Sequence, residues 1–149
     1  MTLFVKICGI TRVEDALCAA HCGADAIGLN FYPGSARCVA RNAAADICRA
    51  LPPHVLKAGL FVNAPREEIV RCEQELQLDL IQLHGDESAD ECAAWGVKAL
   101  RAVRLRSEAD LAQLDALRGL RMIVCDAAVP GAYGGTGQRA DWALARAAV

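Results

Sequence analysis

The sequence contains no apolar run approaching the roughly 18 residues that a membrane-spanning helix requires. It is also poor in aromatics, with three Phe, two Trp and two Tyr. Hydrophobic residues nevertheless make up 54% of the chain. Ala, Leu and Val carry most of that content, a mix that favours helices close-packed on a sheet and argues against a polar, disordered chain. No charge of one sign dominates: the formal net charge is −2, and the basic residues are scattered. Nucleic acid and anionic membrane surfaces are therefore not expected as partners, and an anionic ligand needs a local site. The opening Met1-Thr2-Leu3-Phe4-Val5-Lys6 lacks the basic-then-apolar layout of a signal peptide, so a cytoplasmic location is the default expectation.

Two motif classes are missing as well. The eight cysteines, at positions 8, 18, 22, 38, 48, 72, 92 and 125, include no CxxC pair, which argues against a zinc knuckle or a thioredoxin-like site. Cys18 and Cys22 fall four apart on a predicted helix, but second ligand pairs are missing. The expectation is small, buried, reduced thiols and no metal. After the first predicted strand the turn reads Cys8-Gly9-Ile10-Thr11. It does not fit the GxGxxG turn of a dinucleotide-binding sheet.

What the sequence does have is one alternation, repeated. Strands are predicted at Phe4–Cys8, Ala26–Phe31, Leu56–Phe61, Leu80–Leu83, Lys98–Val103 and Met122–Asp126. Most are apolar nearly throughout, as expected of parallel strands covered on both faces. Helices fill the gaps. Thr11 and Glu14 have capping-box spacing, followed by an apolar stripe of Val13, Ala16, Leu17 and Ala20. A helix over Asn42–Leu51 is stopped by Pro52-Pro53. Pro65 starts another, with Ile69, Cys72 and Leu76 as its inner stripe. Weaker helical stretches run over Ser88–Ala94, Ser107–Leu117 and Ala140–Ala147. Length and uniform composition suit a single domain over 1–149. Repeated βα units imply a parallel sheet, either open or closed into a (β/α) barrel.

In both architectures chemistry sits at the carboxyl ends of the strands. Those ends carry Lys6 and Cys8, Asn30 with the loop to Arg37, Asn63, Gln82 and His84 with Asp86, Arg101 and Arg104, and Asp126 with the loop after it. A polar group beyond almost every apolar strand suggests a ligand site lined by several loops. Arg101 and Arg104 stay ambiguous, because alternating strand faces cannot turn both the same way.

Lys6-Ile7-Cys8-Gly9-Ile10-Thr11 resembles the opening motif of the phosphoribosylanthranilate isomerases. Gly28-Leu29-Asn30-Phe31-Tyr32-Pro33-Gly34-Ser35-Ala36-Arg37 resembles their second-strand motif, with Ala36 where Pro is usual. That change is expected to loosen the loop while keeping Arg37. Gly59-Leu60-Phe61-Val62-Asn63, Ile81-Gln82-Leu83-His84-Gly85-Asp86-Glu87, Asp126, and Gly134-Gly135-Thr136-Gly137 follow in the family's order. The resemblance covers essentially the whole chain.

It implies an α/β fold of the (β/α)8 TIM-barrel type and an Amadori rearrangement of N-(5-phosphoribosyl)anthranilate, an aminoaldose, to the aminoketose of tryptophan biosynthesis. No cofactor or metal is implied, and the partner is a small-molecule substrate. By position Cys8 is implied as general base and Asp126 as general acid. Lys6, Arg37, His84, Gly134 and Gly135 are implied as the substrate-binding set, with Arg37 matching the residue that pairs with the anthranilate carboxylate. A thiol ordinarily ionises near about pH 8.5, so a thiol base needs help to deprotonate. Lys6, two residues from Cys8 on the same side of the strand, is placed to give it. His84 is read equally as a brace. An epimerase or an indole-glycerol-phosphate synthase is the less favoured relative, since those would use metal ligands or a Lys–Glu pair.

A complete barrel has eight βα units and at least about 200 residues, whereas six units are legible here. The expectation is a C-terminally incomplete barrel lacking the phosphate-binding turns. Apolar first and sixth strands are then left with exposed edges, and the chain is expected to self-associate or to need a complementary C-terminal fragment. A non-catalytic barrel fragment is the alternative function.

Overall fold

The computed structural model of the chain describes residues 3–120, 122–127, 133, 139 and 141–147. Strands and helices alternate along it: β1 Lys6–Cys8, α1 Val13–His21, β2 Ala26–Asn30, α2 Arg41–Ala50, β3 Leu56–Phe61, α3 Arg66–Leu76, β4 Leu80–Leu83, α4 Ala89–Ala93, β5 Ala99–Leu105, α5 Ala112–Asp115, β6 Met122–Ala127 and α6 Trp142–Ala147. Short 3₁₀ turns at Gly96–Lys98 and Glu108–Leu111 flank β5. The chain divides into two compact units, residues 1–81 and 82–149.

In the first unit β1, β2 and β3 pair in parallel, with Lys6 opposite Ala26, Cys8 opposite Gly28, and Gly28 in turn opposite Ala58. A repeated clamp holds the strand starts. Asp25, just before β2, receives the Val5 amide on Oδ2 at 2.7 Å and returns its own amide to the Val5 carbonyl at 2.9 Å. Asp79, just before β4, does the same to Lys57 of β3, at 2.8 and 2.9 Å. The interior is aliphatic, built on Ala16, Ile27, Leu29, Ile47, Leu60, Ile69, Cys72 and Leu78. Phe31 and Phe61 stack with ring centroids 5.3 Å apart.

In the second unit β5 and β6 pair in parallel, from Leu100 opposite Met122 to Leu105 opposite Ala127. Val103, Leu105, Leu117 and Leu144 form its core, with Leu111, Leu114, Leu120 and Cys125 packed around them. This explains why the weak amphipathic stretch after β5 and the Trp142 helix fold at all: isolated helices of four and six residues are unstable and persist through tertiary packing.

The strand expectations match to within two residues at each end. β2 and β4 are buried throughout, as near-continuous apolar strands should be. β1 and β6 are less covered, with Ile7 41% and Ile123 36% exposed. Three helix details differ. The Thr11–Glu14 capping box does not form: Arg12 is the N-cap and makes no side-chain cap bond, which leaves Thr11 one residue outside the capping position, and Glu14 lies 3.5 Å from the Arg12 guanidinium. Capping boxes form at Ser88–Glu91 and Ser107–Asp110. In the α1 stripe only Ala16 is fully buried, and Leu17 is exposed.

The thiols also depart from expectation. Cys72 and Cys92 are buried, but Cys18, Cys22 and Cys38 are exposed: Cys18 faces outward on α1, Cys22 is its C-cap and Cys38 lies in the loop after β2. Burial pushes the Cys72 thiol up to about 12, so that residue is chemically inert.

Candidate active site

In the first unit the polar end of β1 is built around a missing side chain. Cys8 lies opposite Gly28 in the parallel ladder, and a Cβ on Gly28 would come within 2.7 Å of the Cys8 sulfur. The turn after Cys8 is made by Gly9 at φ +84°, whose amide donates to the Gly28 carbonyl at 2.8 Å. Arg37 crosses that glycine: a Cβ on Gly9 would lie 2.6–2.8 Å from the Arg37 side chain. The guanidinium Nη1 then donates to the Cys8 carbonyl at 2.8 Å, which ties the loop after β2 to the tip of β1. The sequence puts Gly after Cys8 both for the left-handed backbone and to let Arg37 pass.

The Arg37 loop does not depend on a proline at position 36. The Asn30 carboxamide accepts the Tyr32 amide at 2.9 Å, and the Ser35 hydroxyl accepts the Arg37 amide at 3.1 Å. The Ser35 amide donates to the Tyr32 carbonyl at 3.0 Å and the Cys38 amide to the Ser35 carbonyl at 3.0 Å. These bonds shape the turn, so the expected loosening by Ala36 is offset by local hydrogen bonding. Arg37 itself remains exposed, so its fork is accessible to an incoming carboxylate. Lys6 and Cys8 alternate with Ile7 and share a strand face.

In the second unit His84 and Asp126 meet: Nε2 of the imidazole is 3.0 Å from Oδ2 of the carboxylate. The other carboxylate oxygen accepts the Ala127 amide at 2.8 Å. His84 is buried, and its pKa lies below the ordinary histidine value. Desolvation dominates, and the Arg104 and Arg101 charges add to it. They outweigh the stabilising Asp126 carboxylate, which pulls the other way. The ring is therefore neutral near pH 7.

Behind it Gln82, two residues earlier on the same strand face, faces Nδ1 through its carboxamide nitrogen at 3.5 Å. Arg101 braces the loop that carries His84. It donates to Glu87 at 2.6 Å, to the Leu83 carbonyl at 3.3 Å and to the Gly85 carbonyl at 3.0 Å, and Glu87 also accepts the Gly85 amide at 2.8 Å. Arg104 pairs with Asp86 at 2.8 Å and stacks over the Tyr133 ring, 4.9 Å from its centroid, while the Tyr133 hydroxyl donates to Asp86. The two arginines that sequence reading could not place thus have separate duties, as opposite strand faces require.

Of the residues singled out from the sequence, Cys8 and Arg37 are joined by a hydrogen bond in one unit, and His84 and Asp126 by another in the other. Gly134 and Gly135 lie outside the described residues. The sequence marks Gln82 only as one polar strand end among several, and Gly28 and Gly9 only as members of motifs. The i, i+2 spacing of Gln82 and His84 was the available signal for the first. Among the described residues no group of three or more His, Cys, Asp or Glu is placed to hold a metal ion. No helix among them is long and apolar enough to cross a membrane.

Comparison with known proteins adds to this geometry. Residues 5–148 match the family model described as N-(5'-phosphoribosyl)anthranilate (PRA) isomerase. An isomerase of that name from Azotobacter vinelandii is 51% identical over 144 residues, covering 93% of this chain and 68% of the relative. One from Pseudomonas savastanoi pv. phaseolicola is 49% identical over 140 residues, with the same coverage. Among solved structures, the phosphoribosyl anthranilate isomerase of Thermotoga maritima superposes with a TM-score of 0.86 at 39% identity, over 96% of this chain and 70% of that one. A phosphoribosyl anthranilate isomerase in complex with reduced 1-(o-carboxyphenylamino)-1-deoxyribulose 5-phosphate gives a TM-score of 0.80 at 38% identity, over 85% of this chain and 66% of that one. The chain spans about two thirds of the length of the relatives it matches. Its six βα units are those of a (β/α)8 TIM-barrel fold.

Proposed function

The chain belongs to the N-(5'-phosphoribosyl)anthranilate isomerase family, and from that premise we propose how its own residues carry the Amadori rearrangement. The observation that carries the reading is the family match over residues 5–148. Asp126, holding a proton, gives it to the furanose ring oxygen of the substrate. The C1–O bond breaks and C1 becomes a protonated Schiff base to the anthranilate nitrogen. Cys8, as thiolate, removes the proton from C2, and the electron pair moves into an enolamine. Proton return to C1 and loss of the enol proton leave the 2-ketone. This is acid–base catalysis by two positioned groups, and it requires no redox step.

The local geometry supports these roles. Gly28 leaves room for the Cys8 sulfur, and His84 holds the Asp126 carboxylate in one orientation. Arg37 reads the anthranilate carboxylate with a planar fork anchored on the Cys8 carbonyl. The partner in this reading is a small phosphorylated sugar–aminobenzoate, handled in the cytoplasm.

The test follows loss of the fluorescent anthranilate adduct. Cys8→Ser loses most turnover, and Asp126→Asn stops ring opening while substrate binding stays measurable. Turnover near the parent level in either folded variant overturns that residue's assignment.

A further inference from the structure

Arg104 stands opposite Asp126 in the parallel ladder of β5 and β6. Residues paired in this way lie about 4.8 Å apart between strands and leave the sheet on the same face. An arginine there can reach the carboxylate, and a guanidinium on a carboxylate is among the strongest side-chain pairs. The pair is not made. Among the described residues the Asp126 carboxylate meets His84 and the Ala127 amide. The Arg104 guanidinium goes instead to Asp86 at 2.8 Å and lies over the Tyr133 ring, 4.9 Å from its centroid. The Tyr133 hydroxyl donates to the other Asp86 oxygen, so the two groups that receive Arg104 are themselves tied together.

We propose that Asp86 and Tyr133 are positioning residues that draw Arg104 away from its cross-strand neighbour, so that Asp126 is left free to carry a proton. The proposal rests on the reading of Asp126 as proton donor. An opposite charge within about 4–6 Å favours the carboxylate form, and a guanidinium stays charged at any working pH. Arg104 seated on Asp126 would therefore leave a carboxylate with no proton to give.

The groups facing Asp126 within this unit are His84, from the end of β4, and Arg104, from β5. Arg101 leaves the other face of β5 and is held by Glu87. Burial counts most against a protonated His84, and the diverted Arg104 adds to it at longer range. The Asp86 side chain is 62% exposed, and an exposed ion pair contributes little to stability. Its loss is therefore read at Asp126 and not in unfolding.

The test uses the full chain with ¹³C-labelled aspartate carboxyls, the Asp126 signal being assigned by its loss in Asp126→Asn. In Asp86→Ala the Asp126 titration midpoint moves down by about one pH unit or more relative to the parent, as Arg104 turns to it, while the urea midpoint stays near the parent's. Tyr133→Leu, which leaves Asp86 in place, gives a smaller shift of the same sign. The double variant Asp86→Ala, Arg104→Met has no charge to divert, and its midpoint returns to that of Arg104→Met alone. His84 sits beside Asp126 in all of these proteins, so the differences between them report Arg104. In the adduct-loss assay kcat of Asp86→Ala falls about 10-fold, the proton-bearing fraction lost per unit, with KM within about twofold, and the double variant recovers it.

An unchanged midpoint in either folded variant overturns the part given to that residue, and in both it overturns the proposal. So does a downward shift that persists once Arg104 is removed as well, since the effect then does not run through the arginine. A shifted midpoint with parent kcat in Asp86→Ala also removes it. Full turnover in Asp126→Asn instead removes the acid reading, and with it the purpose of the diversion, whatever the titration shows.

Discussion

A Cβ at Gly28 would lie 2.7 Å from the Sγ of Cys8. The strand opposite the thiol is thus shaped to it, and the fit is testable. Gly28→Ala forces the sulfur or the strand aside, and such overpacking destabilises by about 1–3 kcal/mol. Urea unfolding reads that loss. The adduct-loss assay reads a fall in kcat of more than about 10-fold, because a misplaced base loses its reach to the proton. A stable, fully active Gly28→Ala would show that the thiol has room to spare.

Arg37 lies over Gly9 and donates to the Cys8 carbonyl. Arg37→Lys keeps the charge but loses the planar fork, and the two are not equivalent at a carboxylate site. KM for the anthranilate adduct should rise about 10-fold with a smaller change in kcat. A variant that alters kcat alone would place the arginine's effect on the strand tip and not on the substrate.

The Glu87–Arg101 pair is nearly sealed from solvent, with side chains 8% and 13% exposed. Removing one member leaves the other charged and buried, a loss of about 3–5 kcal/mol. Arg101→Met should therefore unfold at markedly lower urea. The double variant Arg101→Met, Glu87→Leu should recover much of the difference, since neither charge is then stranded. Failure of the double variant to recover would assign the loss to the bonds Arg101 makes with the Leu83 and Gly85 carbonyls.

His84 gives a pH signature. Its pKa in the folded chain lies below the ordinary value of 6.5, so the unfolded chain binds the proton more readily. Stability then falls as pH drops below 6.5 toward the folded-state value, and it is level above 6.5. Urea midpoints from pH 5 to 8 should show this slope in the parent chain and a weaker one in His84→Gln. Equal slopes would mean that other groups carry the dependence.

The alternation of strands and helices was legible because apolar runs and turn residues are local signals. The six strands appear where β-branched and apolar residues cluster. The site was legible in a different way, as polar residues stranded at strand ends. What could not be read was the pairing among them. Whether Arg101 or Arg104 braces a loop depends on partners 14 and 18 residues away, which no periodicity reports. The Thr11 capping box fails because α1 starts one residue later than its spacing predicts, with Arg12 at the N-cap. Thiols are usually interior, but composition does not say which face of α1 Cys18 occupies or that Cys22 ends up at its C-cap.

The clamps at Asp25 and Asp79 have one further consequence. Each fixes the stagger of a strand pair at the end remote from the chemistry, β1 against β2 and β3 against β4. The height at which Cys8 emerges is therefore metered at the foot of its strand as well as at its tip, where the Gly9 amide meets the Gly28 carbonyl and Arg37 the Cys8 carbonyl. A change at Asp25 is thus felt a full strand away, at a thiol it never touches.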